Sequence, residues 1–155
     1  YKKNKIATVI KHIPGHGGAN SDSHFVLPKV NDTLQSLKKK DFKCFKNTFS
    51  LFAMTAHVLY TKIDKKNNAT HSSIILKKII RKEIGYNGIL ISDDISMKAL
   101  KHNVVANAHI AINAGCNLVL YCAGKTTELK KLLNEMPYID KFTMKKTSEF
   151  YRFLS

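Results

Sequence analysis

Apolar residues gather in four dense runs along the chain: "KIATVIKH" (5–12), "SLFAMTAHVLY" (50–60), "NGILISDD" (87–94) and "CNLVLYC" (116–122). Between them lie stretches whose apolar positions recur at helical intervals. "TLQSLKKKDFKCFKNTF" (33–49) precedes the second run. "THSSIILKKIIRKEIGY" (70–86), with Gly85 as its stop, precedes the third, and "SMKALKHNVVANAHIAINAG" (96–115), stopping at Gly115, precedes the fourth. Two more helical patterns close the chain, around 125–136 and 140–154. The strand-like runs are continuous rather than alternating, which is how strands read when a parallel sheet is buried on both faces by crossover helices. The predicted fold class is therefore α/β: about four parallel strands with crossover helices, resembling half of a TIM-type (β/α)8 barrel. A whole barrel takes about 250 residues, so 155 residues supply part of one. A doubly wound open sheet is the alternative, but no glycine fingerprint for dinucleotides follows a strand. In a half-barrel "IATVI" and "NLVLY" become unpaired apolar edges.

With 44% hydrophobic residues, the composition fits one soluble domain with its own core. No apolar run reaches the roughly 18 residues of a membrane helix, so no membrane partner is expected. No signal peptide is evident, but the chain opens on Tyr1 rather than Met and reads as a fragment, so this says little about the parent protein. A net charge of +15 first suggests nucleic acid. The basic residues are nearly all lysine, however, with arginine only at Arg81 and Arg152, and they are scattered rather than interleaved with aromatics. Arginine forks are what base and phosphate readers rely on, so no nucleic-acid partner is expected. Cys44, Cys116 and Cys122 are odd in number and lack zinc-finger spacing. Cys116 and Cys122 bracket "NLVLY" and read as small core residues in a reducing, cytoplasmic setting.

Chemistry concentrates where the strands end. Lys11, His12 and a loop reaching Asp22 and His24 follow the first run; His57 lies in the second; Asp93 and Asp94 end the third. In a barrel these would share one mouth. Either aspartate could be a nucleophile, a base or a metal ligand, or could simply cap the next helix. Asp22 and His24, two apart, would point to one side of an extended loop. There a carboxylate fixes an imidazole's tautomer and raises its basicity, giving a general acid and base. A metal site on His12, His16, His24 and Asp93 is a further reading, but Pro14 breaks the helical spacing that His12 and His16 would need.

"KHIPGHGGANSDSH" (11–24), "MTAHVLYTKID" (54–64) and "GILISDDISMKAL" (88–100), in this order and at these intervals, resemble the bacterial β-N-acetylglucosaminidases of glycoside hydrolase family three, NagZ type. The resemblance is clear from Ile6 to Cys122 and fades after Gly124. It implies the C-terminal half of the catalytic barrel, with residues 1–155 a partial (β/α)8 glycoside hydrolase domain whose N-terminal half is absent. It implies Asp93 as nucleophile, His24 as acid/base with Asp22 orienting it, and Asp94 in support. Lys11 and His12 would bind sugar hydroxyls, with His57 beside them as a substrate-binding or structural residue. Gly15, Gly17 and Gly18 would free the loop, and Pro14 would stiffen its root. The implied function is a retaining hydrolase that releases terminal N-acetylglucosamine from anhydro-muramic acid muropeptides in the cytoplasm during cell-wall recycling, without metal or organic cofactor. The alternative is a truncated remnant of that enzyme, weak or inactive, serving at most as a sugar-binding or interaction module. The unpaired apolar edges leave three outcomes open: a second chain supplies the missing half-barrel, two copies close on each other, or the fragment is poorly stable.

Overall fold

The computed structural model describes residues 2–16, 18–21, 23 and 25–154. Asp22, His24 and Gly17 lie outside the described residues, so the expectations placed on them do too. In chain order the elements are β1 (Val9–Ile13), β2 (Lys29–Val30), α1 (Leu34–Lys39), β3 (Phe52–Thr55), β4 (Leu59–Tyr60), a π-helix (Ile74–Glu83), β5 (Ile89–Asp94), α2 (Val104–Ala114), β6 (Leu118–Leu120), α3 (Thr126–Glu135) and α4 (Lys141–Leu154). Short 3-10 turns occupy Lys2–Asn4, Phe42–Phe45 and Ala69–His71. No helix among the described residues is long and apolar enough to cross a membrane.

Each of the four apolar runs contributes a strand to one sheet, in the order β1-β3-β5-β6 and parallel throughout. Spatial order following chain order, with helices as crossovers, is the (β/α) barrel progression. Ile89 and Leu90 are fully buried, as strands covered on both faces require. The first and last strands of the sheet, β1 and β6, are its edges, as the runs at "IATVI" and "NLVLY" led us to expect. Exposed Val9 and Ile6 stand on and beside the β1 edge.

One large core joins the sheet to the helices outside it, with Ile13, Leu37, Phe42, Val58, Tyr60, Ile75, Leu76, Ile80 and Leu90 all essentially solvent-free. Each such aliphatic side chain contributes about 1.5–3 kcal/mol through burial. A smaller cluster, Ile95, Leu100, Ala108 and Leu132, packs under α2 and α3.

Several elements depart from the periodicity reading. The second run is two strands: β3 ends at Thr55, and Leu59–Tyr60 leaves the main sheet to pair in parallel with Lys29–Val30. The helix expected over 96–115 begins only at Val104, capped by the Asn103 side chain on the Ala106 N–H at 2.9 Å. Neither Asp93 nor Asp94 caps a helix. Cys116 is buried as expected, but Cys122 is exposed, because β6 ends at Leu120. The Ile74–Glu83 helix winds i→i+5, with the Ile84 N–H on the Ile79 carbonyl at 2.8 Å. The buried residues explain the winding: Ile75, Ile79, Ile80 and Ile84 share a face only in the wider turn. At 3.6 residues per turn Ile84 would stand opposite Ile75.

Candidate active site

Two irregularities of register create the site. Between β1 and β3 the pairs Ile10↔Ala53 and Ile13↔Thr55 advance three residues against two, so Lys11 and His12 fall in a bulge. Between β5 and β6 the pairs Ile91↔Leu118 and Asp94↔Leu120 do the same, and Ser92 and Asp93 fall in the bulge. Bulges bend a strand and re-aim its side chains. Here both lie at the C-terminal ends of their strands, where barrel sites form. Buried Ser92 repairs the ladder, its Oγ accepting from the Leu120 N–H at 3.0 Å.

The bulges bring His12 and Asp93 together, with Nε2 at 3.5 Å from Oδ2 and side chains 31% and 15% exposed. Burial holds the His12 pKa below its ordinary value, outweighing the upward pull of Asp93, while Lys11, His16 and His57 also push it down. The ring is therefore neutral at pH 7, and the contact is between a dipole and a carboxylate. The other oxygen of Asp93, Oδ1, accepts the Asp94 N–H at 2.8 Å. Held from two directions, the carboxylate remains partly exposed.

Asp94 supports. Its Oδ1 accepts from the backbone N–H groups of Ser96 at 3.0 Å and Cys122 at 3.1 Å, and its Oδ2 from the Ser96 hydroxyl at 2.7 Å. The carboxylate thus ties the turn after β5 to the end of β6.

His57 differs from the expectation of a substrate-binding residue. It is 0% exposed, with Nδ1 at 2.8 Å from Thr70 Oγ1 and Nε2 at 3.0 Å from the Asp94 carbonyl. Both ring nitrogens are satisfied inside the protein, so its contribution is to hold the neighbouring backbone. Burial lowers its pKa too. Lys11 is exposed at the rim.

At the root of the loop, Pro14 and Gly15 are buried and the Gly15 N–H closes a turn on the His12 carbonyl at 2.8 Å. The Gly15 carbonyl accepts from the Tyr60 hydroxyl. Gly15 has φ 140°, and a Cβ there would lie 2.5 Å from Asp41 Cβ. Only glycine fits. The loop's far end is fixed by the β2–β4 pair and by the Leu59 N–H on the Pro28 carbonyl at 2.9 Å. His16 lies 6.0 Å from His12, centroid to centroid. Among the described residues no three His, Cys, Asp or Glu side chains are grouped to hold a metal.

Of the expected site residues, the structure brings His12, Asp93 and Asp94 together with His57 buried behind them, and Lys11 is exposed beside His12. Sequence reasoning gave no role to Thr55 and Ser92, though both lie inside the quoted motifs, and it missed Thr70, which lies in none.

Comparison with known proteins gives the family. The glycosyl hydrolase family 3 N-terminal domain matches residues 1–148. The β-hexosaminidase of Nitrosospira multiformis is 40% identical over 122 residues, covering 76% of this chain and 35% of its own length. That of Methylobacillus flagellatus is 36% identical over 126 residues, covering 78% and 36%. The crystal structure of NagZ from Neisseria gonorrhoeae in complex with N-trifluoroacetyl-D-glucosamine superposes with TM-score 0.80 at 29% identity, over 97% of this chain and 43% of that one. The chain therefore spans about a third of the length of these two β-hexosaminidases. With nearly its whole length matched and its polar groups at the ends of successive parallel strands, the chain belongs to glycosyl hydrolase family 3, in the family's N-terminal domain.

Proposed function

We propose that residues 1–155 are the part of a (β/α)8 glycosidase domain that carries the nucleophile and the acid/base of a retaining β-N-acetylglucosaminidase. The observation that carries this reading is the Asp93 carboxylate on its bulge, fixed through Oδ1 by the Asp94 N–H and faced at Oδ2 by neutral His12. In the first step Asp93 attacks the anomeric carbon while His24 gives its proton to the leaving oxygen. In the second, His24 takes a proton from the water that hydrolyses the glycosyl-enzyme. Asp22 orients the imidazole. An imidazole in place of a second carboxyl avoids two close anions, which would raise one pKa sharply. Lys11 and His12, at the rim, hydrogen-bond sugar hydroxyls.

The names of the relatives, β-hexosaminidases, and the N-trifluoroacetyl-D-glucosamine held by the gonococcal NagZ support an N-acetylglucosamine substrate. The finer assignment, release of that sugar from anhydro-muramic acid muropeptides in the cytoplasm during peptidoglycan recycling, rests on the loop and strand motifs alone.

The test is turnover of 4-nitrophenyl N-acetyl-β-glucosaminide by this chain joined to the remaining barrel strands. Asp93→Asn abolishes release of nitrophenol; undiminished turnover would remove Asp93 from the role. His24→Ala slows hydrolysis of a substrate with a poor leaving group far more than one whose leaving group needs no acid. The open edges at β1 and β6 favour a second reading, in which the chain alone binds sugar or another chain without turning substrate over. Assay of the 155 residues with and without the remaining strands separates the two.

A further inference from the structure

Thr70 belongs to no motif, yet it lies at the centre of a dry polar relay behind the site. Its Oγ1 is 2.8 Å from Thr55 Oγ1, 2.8 Å from His57 Nδ1 and 3.2 Å from the Ala56 carbonyl. Thr55, His57 and Thr70 are all 0% exposed, so solvent does not compete for these groups.

The protons of the relay follow from donor and acceptor chemistry. The Asp94 carbonyl can only accept, so His57 Nε2 carries a proton. Burial keeps the ring neutral at pH 7, which leaves Nδ1 bare. Thr70 must therefore donate to Nδ1. With its one proton committed there, Thr70 Oγ1 accepts from Thr55, and the longer contact to the Ala56 carbonyl is the competitor. The relay ends on Asp94, whose N–H donates to Asp93 Oδ1 and whose carbonyl accepts a hydrogen bond from His57 Nε2–H. Asp94 is in effect the mounting of Asp93, clamped from behind by a ring whose tautomer Thr70 selects.

We infer that Thr70 is a positioning residue for the Asp93 carboxylate, acting through His57 on the backbone of Asp94. The inference rests on the reading of Asp93 as nucleophile. Thr70→Val keeps the shape but removes the donor, leaving a buried imidazole acceptor without a partner. The ring then changes tautomer or turns away from the Asp94 carbonyl. Thr70→Ser keeps the donor.

Two measurements test this. Long-range 1H–15N spectra of the 155-residue chain at pH 7 should show His57 as the neutral Nε2–H tautomer, unchanged in T70S and altered in T70V. In the barrel completed with the remaining strands, T70V should lower kcat about ten- to a hundredfold with KM little changed, and T70S should restore it. An Nδ1–H or doubly protonated ring in the unsubstituted chain overturns the inference, and this spectrum decides even where T70V folds poorly. So does a T70V enzyme of full kcat in a background where Asp93→Asn abolishes turnover. Turnover that survives Asp93→Asn instead overturns the nucleophile assignment, while the spectrum still reports on the relay.

Discussion

At Gly15 a single hydrogen in place of a side chain lets the chain leave β1 directly under Asp41. The conformation at φ 140° and the 2.5 Å approach of a Cβ to Asp41 make Gly15→Ala costly twice over, by about 2–4 kcal/mol in urea denaturation. Gly85 is the control: at φ 79° but with nothing within 4 Å of a Cβ, its alanine variant loses only about 1 kcal/mol. Equal losses would mean that the close packing at the loop root does not matter. His71 sets a pH dependence at the same scale. Burial, helped by His57 and His102, holds its pKa at about 4 against an ordinary 6.5, so the unfolded chain takes up the proton first. Stability is therefore intact above about pH 6.5 and declines as pH falls towards 4. Burial depresses His12 and His57 in the same sense. His71→Gln should reduce the loss between pH 7 and pH 5 by about 1–2 kcal/mol after allowance for its partial exposure; identical pH profiles would refute this. His12 and Asp93 could be read from the sequence because their chemistry sits in long motifs at strand ends. Thr70 could not, since a threonine in a polar loop looks the same whether it is solvated or, as here, buried against an imidazole.

Among the elements, the four main strands were legible as dense apolar runs, a signal that does not depend on register. Burial on both faces, which the runs led us to expect, holds for the start of β5 but not for β1 and β6, which are partly exposed. The bulges were not legible. Each is one extra residue, invisible until a strand has a partner, although they decide where His12 and Asp93 point. The β2–β4 pair is two residues long, too short for any period. The late start of α2 has a similar cause. "SMKAL" has helical spacing, but the Asp94 carboxylate takes both the N–H and the hydroxyl of Ser96 into a turn. Asn107 binds the Ile95 and His102 carbonyls through its side chain at 3.1 and 2.9 Å, so 95–103 is held as loop. The helix then begins where Asn103 can cap it. Asn103→Ala should cost about 1 kcal/mol of stability, with partial fraying of the first turn seen in amide exchange at Val104–Asn107. A variant as stable as the parent would show that the capping bond at Ala106 is not used in solution.

For the whole molecule, the decisive feature is a parallel sheet with two open edges. β3 and β5 have neighbours on both sides, whereas β1 and β6 have one each. The partly exposed Ile6 and Val9 make the β1 edge a surface that association would relieve. Opening free energies within one fold follow such differences in coverage. In the 155-residue chain the amides of β3 and β5 should thus exchange more slowly than those of β1 and β6, by on the order of a hundredfold. Joining the remaining barrel strands should raise protection at both edges and leave β3 unchanged. Catalysis should rise with edge protection, because His12 stands on β1 and Cys122, which braces Asp94, follows β6. Loosening either edge therefore loosens the seat of Asp93. If all four strands of the isolated chain were equally protected, its edges would already be covered, and the mass in solution would show whether a second copy covers them. If completing the sheet protected the edges without raising turnover of a chromogenic N-acetylglucosaminide, the missing contribution would lie in residues that the added strands bring to the mouth, not in the order they impose on this chain.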